Sequence, residues 1–156
     1  MRAAQRGDAR AIDALVRELS PLIGRICGAI ALDEGEDAMQ EALIAVVGNL
    51  RALREPAAVR GWARRIAVRE AVRVAKRRPV TADADAVQAR DVDLDTAMDV
   101  RAVLAKLSPD QRAVLVLRDL DGMAESEVAS LLSVPEGTVK SRLHRARASF
   151  ANRWMS

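Results

Sequence analysis

Side chains able to bind a polyanion are concentrated near the C-terminus of the sequence, on a helix predicted to begin at Glu136. Five lysines and arginines, and no carboxylate, lie between Thr138 and Ser156. At 100° per residue the apolar side chains share one face, and the polar side chains lie opposite it and on its flanks. The apolar set is Val139, Leu143, Ala146 and Phe150. A helix with one buried and one cationic face suits the major groove of DNA, and a solvated basic amphipathic helix is the alternative.

Two shorter helices are predicted to position this basic helix. The first begins at a capping box, in which Ser108 caps the helix and Gln111 reaches back to it. It ends at Gly122, and its apolar positions are Val114, Leu115, Leu117 and Leu120. The second spans Glu125 to Leu132, and the run Ser-Val-Pro at 133–135 breaks the chain before the basic helix begins. This order of elements predicts a helix-turn-helix.

The segments LSPDQRAVLVLRDLDG and EVASLLSVPEGTVKSRLHRAR, within Leu107 to Arg147, resemble region 4 of the extracytoplasmic-function (ECF) sigma factors of bacterial RNA polymerase. In that family the basic helix reads the upstream, minus-thirty-five promoter element. The DNA contacts that the resemblance implies are Arg118, Thr138, Lys140, Ser141, Arg142, His144 and Arg145. Relatives commonly carry Ser or Thr where Ala124 stands and often Gly where Ser133 stands. The short helix is therefore expected to lack a side-chain cap and to end in a strained turn.

A second cationic stripe is predicted on a helix from about Val59 to Lys76. The outward stripe consists of Trp62, Arg65, Arg69, Arg73 and Lys76, and the inward set of Ala63, Ile66, Ala67 and Val74. A tryptophan among arginines suits stacking on an unpaired base while the cations hold phosphates. The alternative is that Trp62 folds back over Pro56 as a hydrophobic lid.

An acidic and amide patch is predicted on the preceding helix, from about Glu36 to Leu53. Asp37, Gln40 and Glu41 stand at i, i+3 and i+4 and therefore share one exposed face. The buried positions expected there are Met39, Leu43, Val46, Val47 and Leu50. Periodicity alone favours a solvated patch that interacts well with the helix dipole.

The segments EDAMQEALIAVVGNL and AVRGWARRIAVREAVRVAKRR are similar to region 2 of the same sigma family. The resemblance implies that Asp37, Gln40 and Glu41 dock on the clamp helices of the polymerase's largest subunit. It also implies that the stripe containing Trp62 recognises and opens the downstream, minus-ten element. The sequence departs from the family at Arg69, where many relatives carry an Asn that contacts the melted strand.

The chain of 156 residues is predicted to be all-α, with a four-helix domain at 1–78, a flexible acidic linker at 79–96 and a helix-turn-helix domain at 97–156. Residues 51–78 carry ten Lys and Arg against two Glu, whereas residues 79–100 carry six Asp against one Arg. This segregation indicates two polyanion-facing surfaces joined by an acidic connector. In the N-terminal domain, Asp8 is expected to cap a first helix and Ser20-Pro21 to start a second one.

The sequence carries no pattern of a catalytic or membrane protein. The single Cys27 lies among isoleucines, which favours a buried thiol, and no cofactor or metal site is expected. We expect no enzymatic activity, no membrane insertion and a cytoplasmic location. The partners implied by the resemblance are core RNA polymerase (clamp helices and the flap of the second-largest subunit), promoter DNA and an anti-sigma factor. The alternatives are a stand-alone helix-turn-helix regulator and a sigma-like protein–protein module that does not bind DNA.

Overall fold

The computed structural model describes residues 1–77 and 96–155, and every regular element in those residues is helical. The chain folds as two compact units, one within residues 1–75 and one within residues 76–156. The predicted all-α class with two helical domains is confirmed. The predicted acidic linker lies outside the described residues except for Thr96.

The N-terminal unit contains four helices: α1 (Arg2–Gln5), α2 (Ala9–Ala31), α3 (Gly35–Gly48) and α4 (Val59–Arg77). Asp8 caps α2, because its carboxylate accepts a 2.8 Å hydrogen bond from the Ala11 amide. Large aliphatic side chains of α2 pack against small residues of α3 and α4. The core consists mainly of Leu19, Ile23, Ile26 and Ile30 of α2, Ala38, Ala42 and Val46 of α3, and Ala63, Ala67, Ala71 and Val74 of α4.

The expected break at Ser20-Pro21 is wrong, since α2 continues through Pro21 as one helix of 23 residues. A proline inside a helix costs about 3 kcal/mol. Five side chains on the same face are buried after it, and burying an aliphatic side chain contributes about 1.5–3 kcal/mol. These are Leu22, Ile23, Ile26, Cys27 and Ile30. The continuous apolar face therefore outweighs the lost hydrogen bond.

Helix α3 is shorter than predicted and its buried face is shifted, although Val46 and Leu50 are buried as predicted. It ends at Gly48 and a separate 3₁₀ turn covers Leu50–Ala52, so the expected single helix to Leu53 is wrong. The fully buried positions are Gly35, Ala38, Ala42 and Val46, whereas Met39, Leu43 and Val47 are only half-buried. Small residues face α2 because the two backbones approach closely. A Cβ at Gly35 would lie 2.8 Å from the Cα of Gly28.

The C-terminal unit contains α5 (Thr96–Ala105), α6 (Pro109–Leu115), α7 (Glu125–Leu132) and α8 (Glu136–Trp154). The predicted capping box at the start of α6 is confirmed. The Ser108 hydroxyl accepts from the Gln111 amide and the Gln111 side chain accepts from the Ser108 amide, both at 3.2 Å. A π-helical turn, Val116–Leu120, follows α6. Its hydrogen bonds run between residues five apart. Of the predicted apolar positions, Val114, Leu115 and Leu117 are buried, whereas Leu120 is 64 % exposed.

Arg112 of α6 is a buried cation that the sequence patterns did not indicate. Its side chain is 6 % exposed, and its Nη1 donates to the carbonyl oxygens of Leu104 at 3.2 Å and Leu107 at 3.0 Å. Burial lowers the pKa of this guanidinium below its ordinary value. Arg112 therefore donates to two carbonyl groups around the end of α5, and the carbonyl of Leu104 also accepts a 3.1 Å hydrogen bond from the Leu107 amide.

Both expected departures at α7 are present in the turns that flank it. Ala124 provides no side-chain acceptor, although the Glu127 carboxylate reaches back to accept a 2.8 Å hydrogen bond from the Ala124 amide. Ser133 adopts the left-handed conformation, with φ 56° and ψ 45°, and the Val134 amide donates to the Ala129 carbonyl at 3.0 Å. The turn between α7 and α8 therefore has the helix-ending geometry that glycine adopts most easily.

Replacing Ser133 with glycine is expected to raise the free energy of unfolding by about 0.5–1 kcal/mol, because relief of left-handed strain exceeds the entropy that glycine adds to the unfolded chain. Gly122 provides the matched opposite, since it has φ 68° and open space around the position of a Cβ. Gly122→Ala is expected to lower stability by about 1 kcal/mol. Urea unfolding of the full chain, followed by circular dichroism, measures both changes. A less stable Ser133→Gly protein would contradict the assigned turn.

Candidate nucleic-acid interfaces

Helix α8 presents the two faces that its sequence predicted. Val139, Leu143 and Ala146 are buried against the rest of the C-terminal unit, and Phe150 is half-buried. The side chains exposed on the other side are Lys140, Ser141, His144 and Arg145. The interpretation that one face packs and the opposite face meets solvent is therefore confirmed. Whether that outer face can bind DNA depends on which of its hydrogen-bonding groups and positive charges are available.

Two predicted contacts near the start of α8 are engaged within the helix itself. Thr138 is half-buried, and its carbonyl oxygen accepts a 3.1 Å hydrogen bond from the hydroxyl of Ser141. The Ser141 hydroxyl keeps its lone pairs available as acceptors, for example from a base amino group. Thr138 therefore lies at the edge of the exposed face and Ser141 within it.

Among the α8 cations whose side chains the structure describes, Lys140, Arg142 and Arg147 have carboxylate partners and Arg145 has none. Arg147 makes a two-point hydrogen-bonded pair with Asp119, which raises the pKa of Arg147 above its ordinary value. Looser pairs join Lys140 to Glu125 and Arg142 to Asp110, each at 3.8 Å. In the described part of the chain, no carboxylate lies within 4 Å of Arg145. Of the α8 arginines whose side chains are described, Arg145 is therefore the one most available to an external anion.

These pairs show what the sequence analysis missed on this surface. The stretch after Thr138 carries no carboxylate of its own, but α6, the π turn and α7 supply Asp110, Asp119 and Glu125. Their positions depend on tertiary packing, and no local spacing in the sequence would have revealed them.

Arg118, the predicted phosphate contact, lies in the π-helical turn and is half-buried. Its Nε is buried and has no hydrogen-bond partner among the described residues. The side chain is therefore held partly inside the C-terminal unit, and it is less exposed than the cations on the outer face of α8.

Helix α4 carries the predicted outward stripe. Arg65, Arg69, Arg73 and Lys76 are exposed and Trp62 is half-buried, while the predicted inward set is fully buried. The orientation of the helix is therefore confirmed. Arg65 has no carboxylate within 4 Å among the described residues, so its charge is directed to solvent.

Glu70, which sequence reasoning did not single out, lies beside this stripe and is 7 % exposed. It accepts a 2.8 Å hydrogen bond from Nε of Arg73 and a second bond from Nη2 of the same side chain. The Nε of Arg69 lies 3.7 Å from its other oxygen. A buried carboxylate is stable only with such partners. The i, i+3 spacing of Glu70 and Arg73 places their side chains next to each other on the helix. This spacing could have predicted the ion pair from the sequence.

The acidic patch on α3 is exposed as predicted at Asp37 and Gln40, whereas Glu41 is half-buried. The Glu41 carboxylate accepts a hydrogen bond from Nη2 of Arg73 on α4. The structure therefore joins two residues that the sequence had assigned to separate surfaces. Arg73 is bound by Glu70 and Glu41 together, and the hydrogen bond to Glu70 is the largest cause of its raised pKa.

Cys27 is fully buried, with its sulfur 3.8 Å from the carbonyl oxygen of Ala67. Burial raises the pKa of this thiol to about 12, with a smaller contribution from the charge of Glu70. The thiol is therefore neutral at physiological pH, as expected of a core side chain. Among the described residues, no group of His, Cys, Asp or Glu could hold a metal ion, and no helix is long and apolar enough to cross a membrane.

Two family models match the chain, one in each unit. The model described as Sigma-70 region 2 matches residues 15–79, and the model described as Sigma-70, region 4 matches residues 97–150. The first contains α3 with the acidic patch and α4 with the cationic stripe. The second contains α6, α7 and the part of α8 up to residue 150.

Similar proteins with curated names cover most of the chain. The ECF RNA polymerase sigma factor SigM of Mycobacterium tuberculosis is 34 % identical over 152 residues, which cover 93 % of this chain and 78 % of that protein. The ECF RNA polymerase sigma-E factor of Escherichia coli is 31 % identical over 173 residues, covering 96 % and 89 %.

Solved structures show the same fold at lower sequence identity. The sigma factor RpoE from Bartonella quintana, in complex with the anti-sigma factor NepR, has a TM-score of 0.69 and 21 % identity, covering 94 % of this chain and 98 % of that one. CnrH, in complex with the cytosolic domain of CnrY, has a TM-score of 0.62 and 22 % identity, covering 97 % and 92 %.

Proposed function

This chain belongs to the ECF RNA polymerase sigma factors, and we propose that it binds core RNA polymerase, directs the enzyme to specific promoters and aids promoter melting. The observation that carries the proposal is the pairing of a region 2 unit with a region 4 unit, each with an exposed cationic helix. A stand-alone helix-turn-helix regulator would not need the region 2 unit with its cationic helix α4. The chain requires no covalent chemistry for this role.

The upstream promoter element is proposed to meet the outer face of α8. Lys140, Ser141, His144 and Arg145 are exposed there, with Thr138 and Arg142 at the edges and Arg118 alongside in the π turn. Arg145 is the strongest candidate for a base contact, because a guanidinium pairs with two acceptors of guanine in the major groove. The paired cations Lys140 and Arg142 are proposed to contact phosphates.

The downstream element is proposed to meet α4 through Trp62, Arg65, Arg69 and Lys76. A half-buried tryptophan offers a ring face for stacking, and the neighbouring guanidiniums offer charge to the melted backbone. Arg69 stands where many relatives carry Asn. Because arginine is positively charged, we propose that Arg69 binds a phosphate.

Core polymerase is proposed to dock on the patch formed by Asp37, Gln40 and Glu41, through the clamp helices of its largest subunit, and on the C-terminal unit through the flap of its second-largest subunit. Carboxylate and amide oxygens on one helix face offer acceptors to the arginines of a partner. An anti-sigma factor is proposed as a further partner, since RpoE is solved with NepR. Because these partners act in the cytoplasm, we propose that the protein is cytoplasmic.

The test is reconstitution of initiation from purified components. The full chain, added to core polymerase freed of other sigma factors, is expected to give transcripts from a discrete set of sites in a genomic template library. Gel-shift binding to those promoters is expected to be specific only when core polymerase is present. Specific binding by the chain alone would favour a stand-alone regulator, and no initiation at any site would refute the proposal.

A further inference from the structure

We propose that Arg73 is a positioning residue for polymerase docking, held by Glu70 and in turn orienting the Glu41 carboxylate, and is not a DNA contact. The sequence placed Arg73 in the cationic stripe of α4 because its angle matches that of Arg65 and Arg69. The hydrogen bonds of its side chain direct it elsewhere. The inference rests on the proposed docking role of the acidic patch on α3.

The geometry is a chain of three side chains that links the buried side of α4 to the exposed face of α3. Glu70 is almost fully buried and receives both Nε and Nη2 of Arg73. A guanidinium bound at two points has a fixed orientation, because its nitrogen atoms are coplanar. The same Nη2 then donates to Glu41, whose side chain keeps 26 % of its surface exposed. Glu41 is therefore anchored by Arg73 while part of its side chain stays at the protein surface.

The charges at this point argue against binding of a phosphate. One arginine faces two carboxylates, Glu41 and Glu70, so the three groups together carry one negative charge. Arg69, with Nε 3.7 Å from Glu70, at most neutralises it. The four groups Glu41, Glu70, Arg69 and Arg73 therefore offer a phosphate no net positive charge. Arg65, which has no carboxylate within 4 Å among the described residues, offers a full charge.

The same arrangement explains how a single carboxylate on a surface helix becomes a defined docking point. A free glutamate loses side-chain entropy when a partner immobilises it, and that loss weakens binding. Glu41 is already fixed by Arg73, so that loss occurs during folding and not during docking. Removing Arg73 is therefore expected to weaken docking although Arg73 itself need not touch the polymerase.

A double-mutant cycle tests this in the full chain, with affinity for core polymerase as the readout. Glu41→Ala is expected to weaken binding about tenfold and Arg73→Ala about fivefold, while the double variant binds no worse than Glu41→Ala alone. Arg73→Lys keeps the charge but cannot bridge both carboxylates, so it is expected to lose nearly as much as Arg73→Ala. Thermal unfolding of each variant verifies that the fold is retained.

Promoter opening at saturating core polymerase separates the two roles of the stripe. Permanganate reactivity of the downstream element is expected to be unchanged in Arg73→Ala and reduced in Arg65→Ala, the matched exposed arginine on the same helix. Additive losses in the cycle, unchanged affinity in both Arg73 variants, or an opening defect in Arg73→Ala equal to that of Arg65→Ala would each overturn the inference. If Glu41→Ala leaves polymerase affinity unchanged, the proposed docking role of the acidic patch is wrong. That result differs from the three outcomes that would overturn the role of Arg73.

Discussion

Reversing both charges of the acidic patch, in the variant Asp37→Lys/Glu41→Lys, is expected to lower affinity for core polymerase by about a hundredfold or more, because like charges placed across an interface cost several kcal/mol. Asp37 is exposed, and Glu41 is half-buried at the edge of α3, so neither supports the apolar core. The far-ultraviolet circular dichroism spectrum is therefore expected to stay unchanged. A competition assay against a labelled sigma factor measures the loss.

The control for this variant must carry the same change in net charge. Asp13→Lys/Glu18→Lys on α2 provides it, since both carboxylates are exposed and lie outside the patch. Its affinity for polymerase is expected to remain within about twofold of the natural chain, the usual range for distant surface substitutions. Equal losses of polymerase affinity in the two variants would show that only the net charge of the protein matters. No loss of affinity in either variant would exclude this patch as the docking surface.

The sequence predicted those features of the fold that depend on local spacing. The capping box of Ser108 and Gln111, the bounds of α7 and the two faces of α8 all follow from residues within one or two helical turns of each other. The left-handed turn at Ser133 was expected from the family resemblance, because relatives often carry Gly at that position.

The features of the fold that the sequence did not predict depend on packing between helices. Whether Pro21 interrupts α2 depends on how much apolar surface lies beyond it, and whether Leu120 is buried depends on the π-helical turn that it ends. In α3 the larger side chains suggested the buried face, yet Ala38 and Ala42 occupy it because α2 approaches closely. The hydrophobic pattern alone does not reveal such close packing.

The candidate site was predictable in its location but not in its charge balance. Exposure of the side chains on α4 and α8 follows from helical angles. Which of their cations is neutralised follows from carboxylates that are distant in sequence, such as Asp119 for Arg147 and Glu41 for Arg73. This difference matters for function, because a cation already paired within the protein gains less from a phosphate than an unpaired one.

The difference between paired and unpaired cations predicts a large loss of promoter affinity when Arg145 is replaced. Arg145→Ala is expected to cost about 1–3 kcal/mol of holoenzyme affinity for its promoter, with a smaller loss on promoters altered at the upstream element. The physical reason is loss of a two-point contact to a base edge by a guanidinium that no carboxylate within 4 Å competes for among the described residues. Filter binding at fixed salt, with natural and altered upstream elements, measures the difference.

Arg147 on the same helix provides the matched control, since it is exposed but tied to Asp119 at two points. Arg147→Ala is expected to change promoter affinity by about 0.5 kcal/mol or less, the range of ordinary surface substitutions. Because both variants remove one positive charge from α8, a general electrostatic contribution would weaken binding equally in the two proteins and on every sequence. A loss confined to Arg145→Ala and to the natural upstream element identifies base recognition, whereas equal losses would reduce Arg145 to a phosphate contact.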